Sequence, residues 1–164
     1  METPRVLLEH YLKQLRLPTI LREFPKLAEQ CAKQGATFEQ FLLRLVEQEM
    51  LEREQRATER RIKAAKFPVS KSLETYDFLA IPSLNKKLVV ELARSEWIGR
   101  RENVLALGNS GTGKTHIGLA LGLAACQQGF RVRFTTAASL VHELIEARDY
   151  EELDWLILGH LGLN

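Results

Sequence analysis

Cysteine is nearly absent, and Cys31 and Cys126 lie far apart, with no Cys-x-x-Cys and no histidine at ligand spacing. A disulfide framework and a zinc site are therefore not expected, and both residues read as buried small hydrophobes. Proline and glycine are sparse, at 5 and 10 residues, so a disordered or low-complexity chain is not indicated. No apolar run reaches the roughly 18 residues that a membrane span requires, and the start Met-Glu-Thr-Pro has no basic segment leading into an apolar one. A cytoplasmic protein without membrane association is the expectation. His10, His116, His142 and His160 form no His-x-x-x-His, and Gly-x-Ser-x-Gly does not occur, so neither a metalloenzyme centre nor a serine nucleophile is suggested.

What remains is a soluble, helix-rich profile: 164 residues, 45% hydrophobic and 27% charged, enough for one ordinary domain or two small ones. The formal net charge of +2 hides an asymmetry, because the basic surplus belongs to the first hundred residues. It is densest where Arg53, Arg56, Arg60, Arg61, Lys63, Lys66 and Lys71 face only Glu54 and Glu59. Such an excess suits phosphate backbones, and equally suits a solvated helix face held by local pairs.

Apolar spacing predicts a first helix over 6–17, ended near Pro18, and a second over 19–33 with Gly35 as its stop and a start or kink at Pro25. Thr37 and Gln40 form a capping box for a third and longest helix. That helix loses its apolar stripe in the polar stretch 52–63, so its second half is expected in solvent or against a partner. Three helices thus make an N-terminal module, residues 1–66. Residues 67–102 read as an irregular connector, docked through Tyr76 and Phe78, and a helix over 85–97.

From 103 the pattern changes. Asn103-Val104-Leu105-Ala106-Leu107 is a short apolar run opening onto glycines, as a buried parallel strand would. A helix over 114–128, a strand over 130–135 and a helix over 137–148 capped by Thr136 follow. The fold class read from this order is α/β: a helical N-terminal module, then an incomplete parallel sheet of P-loop type with flanking helices over 103–164.

Between that strand and helix stands Gly108-Asn109-Ser110-Gly111-Thr112-Gly113-Lys114-Thr115, the P-loop spacing in its required context. The glycines let successive N–H groups curl around one phosphate, and the helix start adds a positive dipole end. Lys114 reaches β- and γ-phosphate oxygens, and the Thr115 hydroxyl is a ligand for Mg²⁺. ATP or ADP with Mg²⁺ is the expected cofactor.

Leu15-Arg16-Leu17-Pro18-Thr19-Ile20, Phe41-Leu42-Leu43-Arg44-Leu45-Val46-Glu47-Gln48-Glu49, the loop through His116, Thr136-Ala137-Ala138 and Glu146-Ala147-Arg148-Asp149 together resemble the IstB family, nearly from end to end. These are helper ATPases of bacterial insertion sequences within the AAA+ class, related to DnaC-type helicase loaders. The resemblance implies a protein that binds ATP, assembles on DNA and presents target DNA to the transposase of the same insertion sequence. It also implies non-specific DNA contact for Arg56, Arg60, Arg61, Lys63 and Lys66. Helicase loading and a helical binding module with a relic P-loop are the alternatives, and the sequence does not separate them.

The departures from that family bear on turnover. Its members run on through a Walker B strand ending in Asp-Glu, a sensor strand and an arginine offered to a neighbouring subunit, whereas this chain stops at Asn164. Residues 154–162 are similar to that strand, with Gly159 at the Asp position and His160 at the Glu position; an unrelated tail is the other reading. Gly159 has no side chain to hold the metal's coordination sphere and His160 does not replace a carboxylate, so nucleotide binding without hydrolysis is expected. In this class the fourth strand lies between the first and the third, so 103–107 and 155–158 are expected either to pair directly or to expose apolar strand edges.

Overall fold

A computed structural model of the chain describes residues 4–82 and 84–149. The backbone divides into two compact units, Met1–Arg61 and Ile62–Asn164, each with its own small core.

In the first unit, α1 (Pro4–Gln14) packs against α2 (Pro18–Gln34), and α3 (Phe38–Ala64) is the longest element. α1 stops where Arg16 adopts a left-handed φ of 55°, and Leu17 N–H donates back to the Leu12 carbonyl at 3.0 Å. α2 continues through Pro25 without ending there, although proline has no N–H to offer the preceding turn. It closes on Gly35 (φ 64°), with Ala36 N–H donating to the Cys31 carbonyl at 3.0 Å. The capping box forms reciprocally: Gln40 N–H donates to Thr37 Oγ1 at 3.2 Å, and Thr37 N–H donates to Gln40 Oε1 at 3.1 Å.

Polar groups link α2 to α3. Glu49 on α3 is 3% exposed and accepts from the Thr19 and Ile20 N–H groups at 2.7 and 3.1 Å. The first turn of α2 has no side-chain cap of its own, so a carboxylate from another helix supplies it. Arg56 bonds the same Glu49 at 3.3 Å and donates to Thr19 Oγ1 at 3.0 Å. Arg22 joins Glu23 and Glu52, and those bonds, Glu23's first, raise its pKa above the ordinary arginine value.

The second unit contains α4 (Lys86–Leu92), capped by the Asn85 side chain, the short α5 (Glu96–Gly99), α6 (Lys114–Gln127) and α7 (Ala137–Asp149). α6 buries Leu119, Ala120, Leu121, Ala125 and Cys126, as an element apolar on most of its circumference must. Gly122 admits the Phe67 ring, whose edge lies 3.1 Å from where a Cβ would stand. Cys31 and Cys126 are both buried, and neither is in a disulfide. Thr136 Oγ1 accepts from Ser139 N–H at 3.1 Å and caps α7.

The two segments expected as strands differ from expectation. Among the described residues no strand is formed, and 103–107 and 130–135 run without regular structure. Leu105 is 83% and Leu107 91% exposed, and a strand needs a neighbour for its N–H and C=O groups, which the described residues do not supply to 103–107. Phe134 N–H is instead taken by the Ala65 carbonyl just past α3, at 2.8 Å. The similarity read into residues 154–162, with Gly159 and His160, lies outside the described residues.

Candidate nucleotide-binding site

The glycine loop enters α6 through three left-handed or glycine-only conformations: Gly108 (φ 153°), Gly111 (φ 80°) and Gly113 (φ 74°). Gly113 is the residue before the first helical turn, and its carbonyl accepts from Ile117 N–H at 3.0 Å. The N–H groups of that turn have no intrahelical partner, which makes it a place for an anion.

Two side chains fold back over the loop. Thr112 Oγ1 donates to the Asn109 carbonyl at 2.9 Å, and Lys114 Nζ donates to the same oxygen at 2.5 Å. One carbonyl thus takes both donors, and the ammonium group lies across the loop. An incoming phosphate oxygen has only to replace Asn109 O as the acceptor for Lys114. Thr115 is exposed on the first turn of α6. A cavity of about 480 Å³ opens beside Gly108, Asn109, Thr112 and Lys114, and its other walls are apolar: Leu88, Val89, Leu92, Val104, Leu105 and Ile117.

Behind the loop sits a support for which the sequence offered one signal, the aromatic pair in an otherwise irregular connector. Tyr76 is 9% exposed and packs against Gly113 so closely that a Cβ there would meet its ring and hydroxyl at 2.9 Å. Its ring meets Phe78 edge-on at 4.8 Å and His116 at 5.0 Å. His116 Nε2 donates to the Ser72 carbonyl at 3.0 Å, so the histidine after Thr115 ties the connector to α6. The Tyr76 hydroxyl is buried with no hydrogen-bond partner among the described residues.

The basic candidates separate once placed. Arg56 is spent on Glu49, Thr19 and the Glu52 carbonyl, and Arg61 is drawn to Glu54 at 2.5 Å and Thr58 at 2.9 Å. Arg60, Lys63 and Lys66 are exposed, and they form no ion pair among the described residues. No group of three or more potential metal ligands is found among the described residues, and none of the described helices is long and apolar enough to cross a membrane.

In class, this is a helical unit joined to a unit built around a P-loop turn at a helix N-terminus. The chain belongs to the IstB-like ATP binding protein family, whose profile matches residues 10–155. It is 34% identical over 147 residues to an insertion sequence IS5376 protein of Geobacillus stearothermophilus, covering 90% of this chain and 59% of that one. It is 37% identical over 147 residues to an IS21 protein of Pseudomonas aeruginosa, covering 90% and 56%. A Sinorhizobium fredii insertion-sequence protein is 38% identical over 144 residues, covering 87% and 48%. All three carry names that assign ATP binding provisionally, and the chain spans about half the length of these relatives.

Proposed function

We propose that this chain is an ATP-binding helper of DNA transposition, with residues 1–66 as a DNA- and partner-contacting helical module, 67–102 as a connector and 103–164 as the nucleotide-binding part. Residues 108–115 hold the phosphates: the N–H groups of the loop and the first turn of α6 face the anion, and Lys114 moves from Asn109 O to a phosphate oxygen. Thr115, exposed beside the loop, is the Mg²⁺ ligand, and the metal when bound neutralises phosphate charge. DNA and the transposase of the same insertion sequence are the partners, with self-association on DNA. A cytoplasmic location and an incomplete parallel sheet of P-loop type over 103–164 belong to the same reading.

The observation that carries it is Lys114 held across a loop of positive-φ glycines at the start of α6, in a chain whose relatives are insertion-sequence proteins. Hydrolysis is expected to be weak on the reading that residues 154–162 resemble the family's acid-bearing strand, with Gly159 and His160 at the positions of its acids. Titration of the intact chain with a fluorescent ATP analogue tests the first part: Lys114→Ala should lose at least about tenfold in affinity, the scale of one charge-assisted phosphate interaction. Equal binding by both proteins would leave the P-loop a relic. Release of inorganic phosphate at saturating ATP tests the second, and sustained turnover abolished by Lys114→Ala would overturn it.

A further inference from the structure

Beside the turn between α1 and α2 lies an open cavity of about 440 Å³, lined by Leu15, Arg16, Pro18, Glu49, Arg53, Arg56 and Arg60. Four guanidinium groups share it with one carboxylate, and that carboxylate is already used. One Glu49 oxygen takes the Thr19 and Ile20 N–H groups. The other faces Arg56 at 3.3 Å and Arg53 at 3.7 Å. Arg53 also donates to the Arg16 carbonyl at 3.0 Å, which braces the turn in which Arg16 keeps its left-handed backbone. The side chains of Arg16 and Arg60 have no ion-pair partner among the described residues and are exposed.

We propose that this cavity is a phosphate seat for the backbone of duplex DNA, with Arg53 and Arg56 fixed in place by Glu49 and with Arg16 and Arg60 as the two arms that close on the strand. The inference rests on the reading of DNA as a partner and goes further by naming a site that includes Arg16 and Arg53 and leaves out Arg61. Like charges gathered around one cavity repel unless an anion enters. Guanidinium groups take phosphate oxygens through paired N–H donors, a fit that an ammonium lacks. From Arg53 to Arg60 the helix rises about 10 Å, too long for one phosphate and suited to neighbouring phosphates of one strand. The contacts proposed run from guanidinium groups to phosphate oxygens, and such contacts carry no sequence information, so the DNA is held independent of sequence.

The test uses the full chain and a fluorescent duplex of arbitrary sequence, with anisotropy read at several salt concentrations. Arg16→Gln with Arg60→Gln spares Glu49 and its partners and should weaken binding about tenfold at low salt. The same pair should reduce the slope of log affinity against log salt by about one to two, near 0.9 for each phosphate no longer neutralised. Lys33→Gln, exposed on α2 away from the cavity, should change neither, and circular dichroism should show the double variant folded. If the chain binds duplex and the double variant binds it with unchanged affinity and slope, the seat is wrong while DNA binding stands. If the unaltered chain binds no duplex at low salt, the DNA reading fails and takes the seat with it. If the double variant instead loses binding to poly-glutamate while keeping duplex binding, the cavity serves an acidic protein segment and the proposal is overturned.

Discussion

Gly113 and Tyr76 show how one position limits another. A Cβ at Gly113 would be strained by the left-handed backbone, at about 1–2 kcal/mol, and would also strike the Tyr76 ring and hydroxyl. Gly113→Ala should therefore cost more than the backbone strain alone and lower ATP-analogue affinity, because either the loop or the tyrosine must move. Urea unfolding and the fluorescent titration check both effects. Tyr76 itself carries a buried hydroxyl without a partner among the described residues, a group that costs about 1–3 kcal/mol when left unsatisfied. Tyr76→Phe keeps the ring packing with Phe78 and His116 and should be neutral or stabilising by about 1 kcal/mol in urea unfolding; a clear loss of stability would show that the hydroxyl has a partner. Glu49 is the converse case, a buried group with every bond made. Glu49→Ala should destabilise the first unit by about 3 kcal/mol, since it strands two backbone N–H groups and the Arg56 guanidinium, and thermal unfolding by circular dichroism would record it.

At the scale of elements, the helices begin and end where local chemistry says they should. The reciprocal bonds of Thr37 and Gln40 satisfy two donors at the start of α3, and Thr37→Ala should cost about 1 kcal/mol, with Thr37→Ser retaining most of it. Urea unfolding of the two variants side by side measures the difference. α2 is the exception, because its start borrows Glu49 from α3 and its interior tolerates Pro25. Pro25 does not start the helix. The element instead runs from Pro18, whose fixed φ suits a first helical position, and that start is secured by a carboxylate 30 residues away. α6 is determined on both sides, by the glycine turn before it and by the burial of its apolar surface after it.

At the scale of the whole molecule, the described residues present an exposed apolar segment in the second unit, just before the loop that opens α6. Leu105 and Leu107 stand in solvent on backbone that has no strand neighbour among the described residues, the arrangement that invites pairing with another chain. Leu105→Glu with Leu107→Glu should suppress concentration-dependent association of this chain, measured by light scattering, without altering α6; unchanged association would place the sticky surface elsewhere. The P-loop, the capping box, the Gly35 stop and the apolar sweep of α6 were legible in the sequence because each depends on residues within one or two helical turns of one another. The resemblance to the IstB family was legible for the same reason, since it rests on short runs of adjacent residues. Tertiary structure alone decided that Arg56 is tied to Thr19, that Glu49 caps a helix it does not belong to, and that Tyr76 backs Gly113. Each of these depends on which distant group arrives to satisfy a charge, an N–H or an apolar face, and spacing along the chain does not carry that information.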